Sequence, residues 1–267
     1  MQSKGSQDPS LVGRPIFFVR PHSVVQNELL GELIRNEFAV AVVADHTKVL
    51  DIVRLYPHCI AFLNIDEGFT EPEWESLIRS IQDDPASADV RLGVVTYHPN
   101  TELSHKYLLE LGLPCGYIKM SLGLTESSQT ILKVLESNEA RGRRQYLRVP
   151  CREGWASLNV VNDGKVLNGS LVDISSVGLS CTFDNDPEFV ARSLVKNIQL
   201  KLRGLLCTVS AVVMGTRTRD DGSTLYVLLF DPRTVEDTKE KIRVYQRKTL
   251  QMLFQEELDK SADEPPI

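Results

Sequence analysis

What the chain lacks narrows its possibilities before any motif is considered. Its five cysteines (Cys59, Cys115, Cys151, Cys181 and Cys207) are scattered, odd in number and never spaced C-x-x-C. That pattern argues against a disulfide framework or a zinc site and for buried, reduced thiols. No long apolar run is present: the longest, residues 38–44, is far too short to span a bilayer. Residues 1–14 are polar, contain Gly and Pro, and have no apolar stretch of the kind a secretory signal carries. A cytoplasmic protein without membrane insertion is expected.

Positive charge is not in excess either. Thirty Lys and Arg against 36 Asp and Glu give a net charge of −6, a balance opposed to binding a nucleic acid polymer over the whole surface. One local basic cluster stands out at 141–148 (Arg141, Arg143, Arg144, Arg148). The five histidines (His22, His46, His58, His98, His105) all lie in the first half without metal-ligand spacing. Neither a G-x-S-x-G nor a Walker loop occurs. No catalytic residue, metal or resident cofactor is expected, and the chain is not expected to be an enzyme.

What is present divides into two patterns, with 267 residues enough for two ordinary domains. In the first, apolar strands near 15–19, 38–44, 59–65, 90–96 and 117–119 alternate with amphipathic helices near 24–38, 47–56, 70–81, 102–111 and 126–137. Thr70, Pro72 and Glu73 form a capping-box start for the third helix. Continuously apolar strands alternating with helices predict a parallel sheet covered on both faces, in a flavodoxin-like (βα)5 layout. In the second pattern, short alternating strands follow one another: 155–161, 165–174, 179–183, 198–202, 205–214 and 224–230. Asn162-Asp163-Gly164 is a hairpin signal. A short helical turn is expected near 189–194. Six antiparallel strands fit a small barrel, closed so that no edge is exposed. A charged helix follows it.

Two runs carry the chemistry. Arg144 and Arg148 make an R-x-x-x-R, with Arg143 adjoining, and Asp173, Ser175 and Gly178 make a D-x-S-x-x-G. Planar guanidinium forks match phosphates and guanine edges. Asp supplies acceptors, Ser a hydroxyl, and Gly permits close backbone approach. Taken singly, an arginine cluster is most often a solvated linker and D-x-S-x-x-G a turn.

In this order, within a barrel pattern, the two runs resemble the signature of the PilZ domain, a bacterial module that binds cyclic di-GMP. The resemblance covers roughly 141–232 and implies ligand binding by Arg143, Arg144, Arg148, Asp173, Ser175 and Gly178. The (βα)5 half resembles the receiver domain of response regulators. Thr96 and Lys119 match that family's positions at the ends of the fourth and fifth strands. Asn64, however, stands at the phosphoacceptor position, and Arg20-Pro21-His22 replaces the acidic pair; Asp66, two residues on, does not restore it. A degenerate receiver acting as a docking module is implied.

The expected organisation is a disordered start (1–14), a receiver-like domain (15–138) and an arginine-rich linker (139–149). A PilZ barrel (150–232), a C-terminal helix (233–260) and a disordered tail (261–267) follow. The implied function is a cyclic di-GMP effector in motility or surface behaviour. Binding at motifs where the domains join would reorient them and regulate an unidentified protein partner. The alternatives are a phosphorylation-controlled response-regulator-like protein and a ligand-independent interaction scaffold.

Overall fold

The structure, a computed structural model, describes residues 13–162 and 164–263. The expected disorder at 1–14 and 261–267 falls largely on 1–12 and 264–267, which lie outside the described residues. The chain divides into two compact units, one of residues 1–145 with 250–267 and the other of residues 146–249.

The first unit is built on five parallel strands: β1 (Ile16–Val19), β2 (Val40–Val43), β3 (Ile60–Asn64), β4 (Arg91–Thr96) and β5 (Tyr117–Lys119). Their order is β2-β1-β3-β4-β5. Every residue of β1 and β3 is buried, the consequence of helices covering both faces of the sheet. Those helices are α1 (Ser23–Arg35), α2 (Val49–Leu55), α3 (Glu71–Asp83), α4 (Thr101–His105, continued by a π turn at Lys106–Glu110) and α5 (Leu124–Ser137).

The expected capping box of α3 forms, with the Thr70 N–H donating to Glu73 Oε2 at 2.7 Å. It aims Trp74, Ile78 and Ile81 into the core. The exposed edge of β2 is closed by a side chain. Gln251 Oε1 accepts from the Val42 N–H and its Nε2 donates to the Val42 carbonyl, both at 2.8 Å. One glutamine thereby does what a further strand would do at that edge.

The second unit is antiparallel. Strand β6 (Arg148–Pro150) precedes β7 (Ala156–Asn162), β8 (Lys165–Ser175), β9 (Gly178–Phe183), β10 (Leu194–Leu202), β11 (Leu205–Thr218) and β12 (Thr224–Phe230). The last six close into a ring, β7-β8-β9-β12-β11-β10 and back to β7. The six-stranded barrel and the C-terminal helix expected from the sequence are both present. Alternation of inward apolar and outward polar residues produces the barrel: in β10, Val195, Ile198, Leu200 and Leu202 point in.

Two local expectations needed revision. The segment at 189–194 is not helical; a turn at 191–192 leads directly into β10. Positive φ at Glu188 (52°) and Arg192 (68°) interrupts any helical path. Strand β6 was not expected as a separate element, because three residues inside an arginine-rich run carry no readable alternation.

Helix α6 (Glu236–Asp263) follows the barrel. Residues up to 249 belong to the second unit, where Ile242 and Tyr245 join the barrel core. Those from 250 on belong to the first, where Phe254 lies edge-on to Phe17 with ring centroids 5.0 Å apart. Among the described residues no helix is long and apolar enough to cross a membrane.

Candidate functional site

Strand β8 organises the site. It is long enough to use one edge twice: Ser157–Asn162 of β7 pair with its first half, and Arg148–Pro150 of β6 with its end. That register sets Arg148 opposite Ser175 and Pro150 opposite Asp173. Two motif halves 25 or more residues apart in sequence thus become neighbours on one sheet edge. Arg148 Nη1 lies 3.5 Å from Asp173 Oδ1, with both side chains partly exposed. The separation is that of an ion pair without hydrogen-bond geometry, and Asp173 Oδ1 is buried with no hydrogen-bond partner. A carboxylate oxygen with unused acceptor capacity beside a half-exposed guanidinium is chemically equipped for a ligand presenting both donors and acceptors.

Ser175 and Gly178 face each other across the β8–β9 turn. The Ser175 hydroxyl, on a residue 1% exposed, donates to the Gly178 carbonyl at 3.1 Å. Gly178 does not adopt positive φ; a Cβ there would lie 2.4 Å from the Leu228 carbonyl oxygen of β12. The absence of a side chain is thus required by strand-to-strand approach.

Arg143 and Arg144 lie in the exposed stretch that ends the first unit. Neither makes a hydrogen bond or ion pair with another described residue. Behind β6, Cys151 sits beside the Tyr245 hydroxyl of α6, and burial pushes its thiol up to about 12. Burial likewise raises the Tyr245 phenol. These groups are neutral at physiological pH and do not compete with an anion for the arginines.

In the first unit, Asn64 ends β3 with 2% exposure. Its Nδ2 donates to the Arg20 carbonyl at 2.8 Å, and its Oδ1 accepts from the Asp66 N–H at 3.2 Å. Both oxygens of Asp66 are engaged, one by the Thr96 hydroxyl and the other by the Tyr97 N–H at 2.6 Å. Lys119 is exposed and pairs in register with Thr96. Arg20, with φ of 46°, directs its guanidinium towards Glu67 at 3.5 Å and His46 at 3.4 Å. Among the described residues, no group of three or more His, Cys, Asp or Glu is placed to hold a metal ion.

One further residue bears on the site without a local sequence signal. Gln246 of α6 is fully buried and its Nε2 donates to the Leu147 carbonyl at 2.8 Å, inside the R-x-x-x-R run. Nothing in a charged helical stretch distinguishes it from a solvated glutamine.

No family model and no curated protein matches the chain. Several solved structures do. YcgR of Escherichia coli in complex with c-di-GMP is 16% identical, at a TM-score of 0.35, over 46% of this chain and 50% of that one. The MrkH–c-di-GMP complex of K. pneumonia is 20% identical, at 0.34, over 47% and 57%. The Bacillus subtilis inhibitor of motility MotI is 16% identical, at 0.31, over 44% and 52%. The chain thus spans about half the length of these proteins. Its own closed ring of six antiparallel strands, entered through an R-x-x-x-R run and turning on a D-x-S-x-x-G, fits a PilZ domain.

Proposed function

We propose that the chain is a cyclic di-GMP-binding effector whose ligand is taken by Arg143, Arg144, Arg148, Asp173, Ser175 and Gly178. The observation that carries the reading is the β6–β8 register, which sets Arg148 beside Asp173 and across from Ser175. Arg148 and Arg144 would meet phosphate or the O6 and N7 acceptors of guanine, and Asp173 the guanine N1–H and N2–H₂ donors. Arg143 adds charge. Ser175 and Gly178 serve chiefly by shaping the turn that presents Asp173. YcgR and MrkH are described as c-di-GMP complexes, and this chain would share that ligand.

The first unit serves as a receiver-like docking module that is not phosphorylated. Its strand order is that of flavodoxin-like sheets. At the β3 end stands Asn64, which cannot accept a phosphoryl group, and Asp66 is committed to Thr96 and Tyr97. Ligand binding next to the domain boundary would change domain orientation and affinity for a protein partner, in motility or surface behaviour. Calorimetric titration with cyclic di-GMP tests the reading: saturable binding by the parent and weakened binding by Arg148→Ala and Asp173→Ala are expected.

A further inference from the structure

The path of the arginine run into the barrel is held from outside the motif. Arg144, Gln145 and Tyr146 are exposed, whereas Leu147 is 5% exposed and Arg148 begins β6. Strand β6 itself is anchored by only three register pairs, one of them involving Pro150, which has no N–H to donate. The chain direction at Arg148 therefore depends strongly on what secures Leu147. Its side chain is buried, and its carbonyl accepts the hydrogen bond from Gln246 Nε2.

Gln246 is an unusual choice for that position. It is 0% exposed, between Ile242 and Tyr245 on one side and Thr249 and Leu250 on the other, all of them buried. Its Oε1 has no hydrogen-bond partner among the described residues. A buried amide with one end unsatisfied is less favourable than an apolar side chain of the same shape. Packing alone would select Leu or Met. What the amide adds is a directional hold on one carbonyl of the R-x-x-x-R run.

We propose that Gln246 is a positioning residue for the ligand-binding arginines: by holding the Leu147 carbonyl it sets the backbone direction from which Arg148 faces Asp173. The inference rests on the cyclic di-GMP reading of that site.

Amide hydrogen exchange on the full chain without ligand, read by mass spectrometry, tests the hold itself. Gln246→Met and Gln246→Leu each put an apolar side chain of similar volume in place of the amide and remove the donor. Both should speed exchange across 146–149 about fivefold, the loss of one ordinary hydrogen bond, while the barrel core at 207–213 and the thermal midpoint stay near the parent. A space-filling role predicts no such local change in the Met variant.

In the second arm, both variants should bind cyclic di-GMP about fivefold more weakly than the parent without losing binding. Parent-like exchange in both variants overturns the inference, as does failure of both to fold, which would make Gln246 a core residue. If the parent does not bind cyclic di-GMP, the functional reading fails while the exchange result still decides whether Gln246 holds the run.

Discussion

Replacing Gly178 by Ala tests what the motif glycine does for the barrel. The added Cβ would sit 2.4 Å from the Leu228 carbonyl oxygen, 3.3 Å from Leu229 Cα and 3.4 Å from the Leu228 carbonyl carbon. All three are backbone atoms of β12, so no rotamer change relieves the overlap. Ordinary contact with the oxygen requires β9 and β12 to part by about 1 Å. The ladder there pairs Gly178 with Leu229 and Leu179 with Leu228, and it closes the barrel. Forced overpacking of this kind costs about 1–3 kcal/mol. Exchange of the β9 and β12 amides should accelerate roughly fivefold to a hundredfold. Gly215 in β11 is the internal control: a Cβ there meets nothing within 4 Å, so Gly215→Ala should leave exchange unchanged. Parent-like exchange in Gly178→Ala would refute the argument that strand approach excludes a side chain. If it is right, weaker ligand binding by that variant reports barrel distortion and does not identify a ligand contact.

Further expectations follow from the same geometry. Incubation with acetyl phosphate should yield no retarded species on a phosphate-binding gel, because Asn64 cannot be phosphorylated and Asp66 is held by Thr96 and Tyr97; a modified Asp66 would contradict this. Tyr226 donates to Asp186, and its phenol is pushed up to about 12 by burial first and by that carboxylate second. A phenol raised in the folded state contributes stability below its unfolded value near 10, and that stability is lost as pH climbs towards 12. Urea unfolding between pH 9 and 12 should show this decline, reduced in Tyr226→Phe. It should not be abolished, because buried Cys151 and Cys181, also raised to about 12, lose stability in the same window.

How much could be read without coordinates depended on the range of the interactions involved. Continuously apolar runs such as Ile16–Val19 marked the buried parallel strands, and Thr70 with Glu73 marked a helix start, because each signal is complete within a few residues. Asn162 and Gly164 located the β7–β8 hairpin for the same reason. The start of β10 is not legible in this way: apolar spacing from Phe189 to Leu194 imitates a helix, and the positive φ values of Glu188 and Arg192 have no sequence mark. At the site, residue identities were legible but their work was not. Gly178 was expected to admit a ligand, yet the atom nearest its missing side chain belongs to a strand 50 residues away. The engagement of Asp66 by Thr96, and of Leu147 by Gln246, likewise needs tertiary register that local pattern does not carry.

The central claim is that Arg148 and Asp173 form part of a cyclic di-GMP site, and calorimetric titration of the full chain tests it most directly. The account predicts saturable binding by the parent. Arg148→Ala and Asp173→Ala should each lose charge-assisted hydrogen bonds worth about 1.5–3 kcal/mol, lowering affinity roughly tenfold or more. Absence of heat in the parent at ligand concentrations of tens of micromolar, or unchanged affinity in both variants, would contradict it.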